Sequence, residues 1–116
     1  MMFNYAVKPA EACEFYEIAA ADDLGTGERL FVEIGDRPIV VFNVAGQLFA
    51  IGDVCSHDDG PLGDGEIEDH TVTCPRHGGQ FDVRTGKATM LPAVQDIPAY
   101  PLRVKDGMIQ VGVPRE

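Results

Sequence analysis

The chain has 116 residues, 45% of them hydrophobic, enough for one modest core and unlike a disordered or fibrous polypeptide. With 19 acidic residues against 9 basic ones, the formal charge is -10. That balance argues against a nucleic-acid partner, whose phosphates would be repelled, and favours solubility and a partner with a basic docking face.

The cysteines are Cys13, Cys55 and Cys74, an odd and small number that makes a poor disulfide framework and suits a reducing compartment. The first stretch, MMFNYAVKPAEACEFYEI, is broken by acids and is no signal peptide, and nowhere do about 20 apolar residues follow one another as a membrane span requires. The expected location is the cytoplasm, without a membrane partner.

In chain order, short segments rich in Val, Ile, Phe and Thr alternate with glycine and proline. Residues 8–13 and 21–24 read as turns, and no stretch is a candidate for a longer helix. FYEIAA and RLFVEIG alternate in part, as half-buried strands do. PIVVFNV and QLFAIG follow, joined by a tight turn at Ala45-Gly46. After the loop DVCSHDDGPLGDG come EIEDHTVTC, turning at Asp69-His70, and QFDVRTGKATM, turning at Thr85-Gly86. The stretch LPAVQDIPAYP, with Pro92, Pro98 and Pro101, is expected to stay out of regular ladders. PLRVKDGMIQVGV closes the chain as a hairpin around Asp106-Gly107. Many short strands at this spacing predict an all-β fold of antiparallel sheets, and no repeat or linker divides the chain.

Two clusters of soft ligands stand beside turns. Cys55 and His57 lie in the first loop; Cys74 and His77 lie at the break before QFD. The unit from Glu66 to Thr73 is able to bring the two loops side by side, where a rigid sheet positions binding chemistry. Cys13 and His70 read as ordinary packing residues. The other four form matched pairs, Cys-x-His and Cys-x-x-His, with 16 residues between His57 and Cys74. Two thiolates and two imidazoles satisfy a structural zinc site, although such sites usually pair Cys with Cys and His with His. Nucleophilic catalysis lacks a third, orienting group. A binuclear iron–sulfur cluster suits the pattern better, because two irons need two terminal ligands each and each loop offers one of each kind.

This pattern resembles the Rieske family, in which two histidines replace two cysteines on one iron. Gly78 and Phe81-Asp82 look like that family's second cluster loop, and Leu91-Pro92-Ala93 like the proline-bearing loop that packs over the cluster. The resemblance implies one [2Fe–2S] cluster, with Cys55 and Cys74 on the inner iron and His57 and His77 on the exposed one. It also implies two stacked antiparallel sheets around a small cluster-binding subdomain. Residues 1–116 are expected to form a single Rieske domain, with residues 1–14 as an N-terminal extension.

Two ferric ions, two sulfides and two thiolates sum to zero charge when both imidazoles are neutral, so an electron enters more easily than in a four-cysteine cluster. Within the family, high-potential members carry a disulfide between the cluster loops, and serine and tyrosine hydroxyls directed at the cluster. The matching positions here are Gly60 and Arg76, and Gly79 and Phe81. With the acids Asp58, Asp59, Asp64 and Glu66 nearby, the expected potential is around -150 mV, the low end of the range.

The resemblance therefore points to the ferredoxins of bacterial ring-hydroxylating oxygenases, which pass single electrons from a flavin-dependent reductase to a terminal oxygenase in aromatic hydrocarbon catabolism. Beyond the candidate ligands only His70 remains, too few for a mononuclear iron site, and no dinucleotide fingerprint is present. A carrier is expected, not an enzyme. The alternative is the small Rieske-like subunit of a reductase such as assimilatory nitrite reductase. Arg76 is a candidate for docking an acidic partner or pairing with Asp58 or Asp59.

Overall fold

The central strands are apolar on both sides, and that dictates the architecture. The computed structural model describes residues 12–54, 62–75, 78–91 and 95–114. Within them the strands run β1 (Cys13–Ala20), β2 (Arg29–Ile34), β3 (Arg37–Val44), β4 (Gln47–Gly52), β5 (Ile67–Glu68), β6 (Thr71–Thr73), β7 (Gln80–Asp82), β8 (Ala88–Met90), β9 (Ala99–Tyr100), β10 (Leu102–Lys105) and β11 (Met108–Pro114). They form three antiparallel sheets, ordered β1-β11-β10, β2-β3-β4-β9 and β5-β6-β7-β8. Among the described residues no helix is long and apolar enough to cross a membrane.

The middle sheet lies between two cores. Ile39, Val41, Ala50 and Tyr100 pack on one side with Ile109, Val111 and Val113 of β11. Their neighbours Val40, Phe42, Ile51 and Ala99 pack on the other side with Val72, Cys74, Phe81 and Val83. Period-two alternation sends successive residues of β3 to opposite cores, which is why PIVVFNV reads as a continuous apolar run. Each of Ile39, Val40, Val41 and Phe42 is at most 2% exposed. Their burial stabilises by roughly 2 kcal/mol apiece, so the middle sheet is the anchor for everything attached to it.

The turns follow the expected chemistry. Ala45 and Gly46 have φ of 53° and 89°, and Asp106 and Gly107 have 53° and 78°, so both hairpins twist with their strands. Asp69 likewise takes a positive φ of 54° between β5 and β6. The expected turn at 21–24 is a 3-10 turn over Ala21–Asp23. Of the turn expected at 8–13, residues 8–11 lie outside the described residues, and Cys13 opens β1 instead.

One stretch departs from expectation. Ala99 and Tyr100 pair with Ile51 and Ala50 as β9, although prolines bracket them. The two residues between Pro98 and Pro101 keep their N–H groups, and each proline contributes its carbonyl. Pro98 O accepts from Gly52 N–H at 2.9 Å, and Pro101 O from Gly112 N–H at 2.8 Å. A proline removes a donor but leaves the acceptor.

Candidate metal centre

The third sheet and the loop before it carry the candidate ligands. Cys74 follows β6 directly and is 2% exposed, packed in the core that also holds Leu62, Val72 and Phe81. The β6–β7 pairing of Thr73 with Gln80 fixes the distance between the arms of its turn. Inside that register Cys74 N–H donates to Gly79 O at 2.7 Å, and Gly78 N–H donates to Cys74 O at 3.1 Å. Gly78 has φ of 82°, a conformation that side chains resist. Both backbone groups of Cys74 are thus held, which fixes the direction in which its thiol leaves the chain.

The first ligand loop is closed at its base. Asp53, just after β4, accepts through Oδ1 from the N–H of Leu62 at 2.9 Å and of Gly63 at 2.6 Å. Gly65 N–H donates to Leu62 O at 3.0 Å, and Thr73 N–H to Glu66 O at 2.9 Å, stitching the loop's end to the strand that leads into Cys74. From β2, Arg29 Nη1 donates to the carbonyls of Gly63 and, at 2.7 Å, of Gly65. A cleft of about 550 Å³ opens between the two segments, lined by Asp64, Gly65, Glu66, Thr73, Cys74, Pro75 and Gly78.

Of the four candidate ligands, Cys74 is described, and Cys55, His57 and His77 lie outside the described residues, as do Asp58, Asp59, Gly60, Arg76, Pro92 and Ala93. The described ends of both ligand loops nevertheless meet at the cleft. A thiolate bound to ferric iron has its charge compensated, so it tolerates the apolar wall of Leu62 and Phe81 around Cys74. The donor type, the held turn and the cleft fit a thiolate-bound cluster. Phe81 is fully buried, and the carbonyl of Gly79 is taken by Cys74, so neither matching position presents a hydroxyl.

Cys13 and His70 have packing surroundings. Cys13 is buried in β1, and the His70 ring meets Phe49 edge to face at 5.6 Å. Beyond β7, Arg84 binds Asp82 with Nη2 to Oδ2 at 2.8 Å, and that hydrogen bond, with the guanidinium charge, holds the Asp82 carboxyl below its ordinary range. Sequence reading passed over Arg29 and Asp53. Asp53 had a signal, an acid at a strand end before a glycine-rich loop. Arg29 had none, since its carbonyl partners lie 34 and 36 residues away.

Comparison with known proteins agrees with this geometry. The family model described as Rieske [2Fe-2S] domain matches residues 14–101. The anthranilate 1,2-dioxygenase ferredoxin subunit of Burkholderia cepacia is 36% identical over 104 residues, covering 90% of this chain and 96% of that protein. The ferredoxin component of biphenyl 2,3-dioxygenase from Rhodococcus jostii is 43% identical over 89 residues, covering 77% and 83%. Among solved structures, a chain in the complex of reduced oxygenase and oxidized ferredoxin of carbazole 1,9a-dioxygenase superposes with a TM-score of 0.81 at 29% identity, covering 88% of this chain and 95% of its own. A Mycobacterium tuberculosis protein proposed to be an NADH-dependent nitrite reductase small subunit superposes with 0.79 at 25% identity, covering 90% and 98%. With a buried cysteine at the matching turn and relatives aligned over most of both chains, this protein belongs to the Rieske [2Fe-2S] domain family, among its ferredoxins.

Proposed function

We propose that the chain carries single electrons from a flavin-dependent reductase to a terminal oxygenase, through one [2Fe–2S] cluster held by Cys55, His57, Cys74 and His77. The cluster, when bound, supplies reversible one-electron chemistry at a potential set by its mixed ligands. Everything else falls to the chain. Cys74, with its own N–H and C=O both hydrogen-bonded, presents its thiolate, and Leu62, Val72 and Phe81 keep water from its inner side. By the family's division, Cys55 and Cys74 share one iron and His57 and His77 the other.

The observation that carries this reading is the meeting of the two ligand loops beside Cys74, in a chain whose curated relatives are ferredoxin components of dioxygenases. An oxygenase partner is supported by the solved complex of such a ferredoxin with its oxygenase. The small-subunit reading is the lesser one, since the curated relatives named here are ferredoxins rather than nitrite reductase subunits. We read residues 1–116 as one Rieske domain, with residues 1–14 as an N-terminal extension whose last two residues, Cys13 and Glu14, open β1 and pair with β11, and place the protein in the cytoplasm.

The test is direct. The purified protein should contain two irons and two acid-labile sulfides per chain. It should take up one electron reversibly and support turnover when added to a reductase and a ring-hydroxylating oxygenase. A colourless, zinc-containing protein, or one that travels only with a large nitrite reductase, refutes the proposal.

A further inference from the structure

We infer that Arg29 and Asp53 are positioning residues for the metal centre: together they lock the end of the first ligand loop against the strand that delivers Cys74. The inference rests on the ligand assignment proposed above and concerns residues outside it.

The geometry is a two-sided grip on one short segment. Asp53 Oδ1 takes the N–H groups of Leu62 and Gly63, while Arg29 Nη1 takes the carbonyls of Gly63 and Gly65. Gly63 is therefore held at its N–H by a carboxylate and at its C=O by a guanidinium. Both are charge-assisted contacts, stronger than bonds between neutral groups. Arg29 is itself steadied, its guanidinium carbon 5.1 Å from the centroid of the Phe42 ring in the core.

The grip is transmitted by close packing. A Cβ on Gly63 would come within 2.5 Å of Phe31 Cε1 and 3.0 Å of Val40 Cγ2, so the segment lies flat on the middle sheet. Two residues on, Gly65 sits directly against the carbonyl of Thr73, which precedes Cys74. A path of direct contacts thus runs from the Arg29 guanidinium through Gly65 and Thr73 to the ligand. Asp53 stands two positions before Cys55 and bonds across the loop to residues 62 and 63, closing the stretch that contains Cys55 and His57. Ligand orientation is usually maintained by groups of this kind, which do not touch the metal.

The experiment compares holoproteins carrying Arg29→Met, which keeps an apolar stem and loses the donors, and Asp53→Ala, which loses the acceptor. Expected are iron release to a chelator roughly tenfold faster than in the wild type and altered visible circular dichroism of the bound cluster, with an unchanged far-ultraviolet spectrum. Asp53→Asn, whose amide oxygen still accepts from both N–H groups but without the charge, should release iron more slowly than Asp53→Ala and closer to the wild type. Wild-type iron release and visible spectra in Arg29→Met and Asp53→Ala overturn the inference, as does an Asp53→Asn protein that fails like Asp53→Ala. If the substituted proteins do not accumulate, hydrogen-exchange mass spectrometry of the wild-type holoprotein decides. Residues 62–65 should be protected like the β3–β4 ladder, and exchange as fast as in the exposed turn at Asp106-Gly107 overturns the inference. A wild-type protein lacking iron and sulfide would instead remove the ligand assignment beneath it.

Discussion

Gly65 and Thr73 are packed backbone to backbone: a Cβ on Gly65 would stand 1.8 Å from the Thr73 carbonyl oxygen. No rotamer relieves such a contact, because a Cβ has none and its neighbour is main chain. Gly65→Ala must therefore push the first loop away from the strand that leads to Cys74. The expected cost is about 1–3 kcal/mol of stability, as for other overpacked sites. Iron content per purified chain should fall with it, and thermal melting together with iron analysis checks both. Full iron loading at an unchanged melting temperature would show that the two segments separate freely.

The midpoint potential follows from which groups face the site. Phe81 is fully buried, and Gly79 has no side chain and gives its carbonyl to Cys74, so the positions matching the family's hydroxyl donors supply none. Without such donors the extra negative charge of the reduced state is less well stabilised. Redox titration at neutral pH should return a midpoint near -150 mV, the low end of the Rieske range. A positive midpoint contradicts this account.

Asp64 and Glu66 are exposed and line the cleft that Cys74 borders. On a chain of charge -10 they add to the negative field beside the candidate metal centre. Replacing them together by Asn and Gln should slow electron transfer to an oxygenase at low ionic strength, by about tenfold or less. At 0.1 M salt and above the difference should shrink, because screening acts over about 10 Å. Stopped-flow rates across a salt series check it; equal ratios at every salt concentration count against steering.

How much of this was legible in the sequence depended on the range of the interaction. The hairpins at Ala45-Gly46 and Asp106-Gly107 were readable because two adjacent residues determine them. The candidate ligand pairs stood out because a metal centre needs donors of rare types at short spacing, and of the four residues Cys74 lies among the described ones. Pairing of β9 was not readable, since Ala99 and Tyr100 join β4 through partners 48 and 50 residues away, and flanking prolines masked two intact donors. The central position of β3 was hinted at by its unbroken apolar run, but which core each residue entered required the sheets around it. Arg29 carried no signal at all. Its role comes from backbone carbonyls, and any residue can offer those.

Asp82 gives a pH dependence with a definite sign. Its Oδ1 accepts from Arg84 N–H at 2.8 Å and from Nε at 3.0 Å, and its Oδ2 from Nη2 at 2.8 Å, at the end of β7. The side-chain bonds to Arg84 are the largest cause that lowers its pKa from the ordinary 3.8, and partial burial opposes them. A carboxyl with a depressed folded pKa contributes stability above its unfolded value and loses it as pH falls through the folded one. Asp82→Asn should therefore be less stable than the wild type at pH 7, with the difference fading as pH falls below 3.8. The Arg84 side chain is 54% exposed, so the effect is small and weakens further in salt. Comparing both chains at each pH cancels whatever acid does to the metal centre in common, and melting temperatures across the range check the sign. A difference that persists unchanged well below 3.8 would mean that Asn disturbs the turn itself rather than the charge pair.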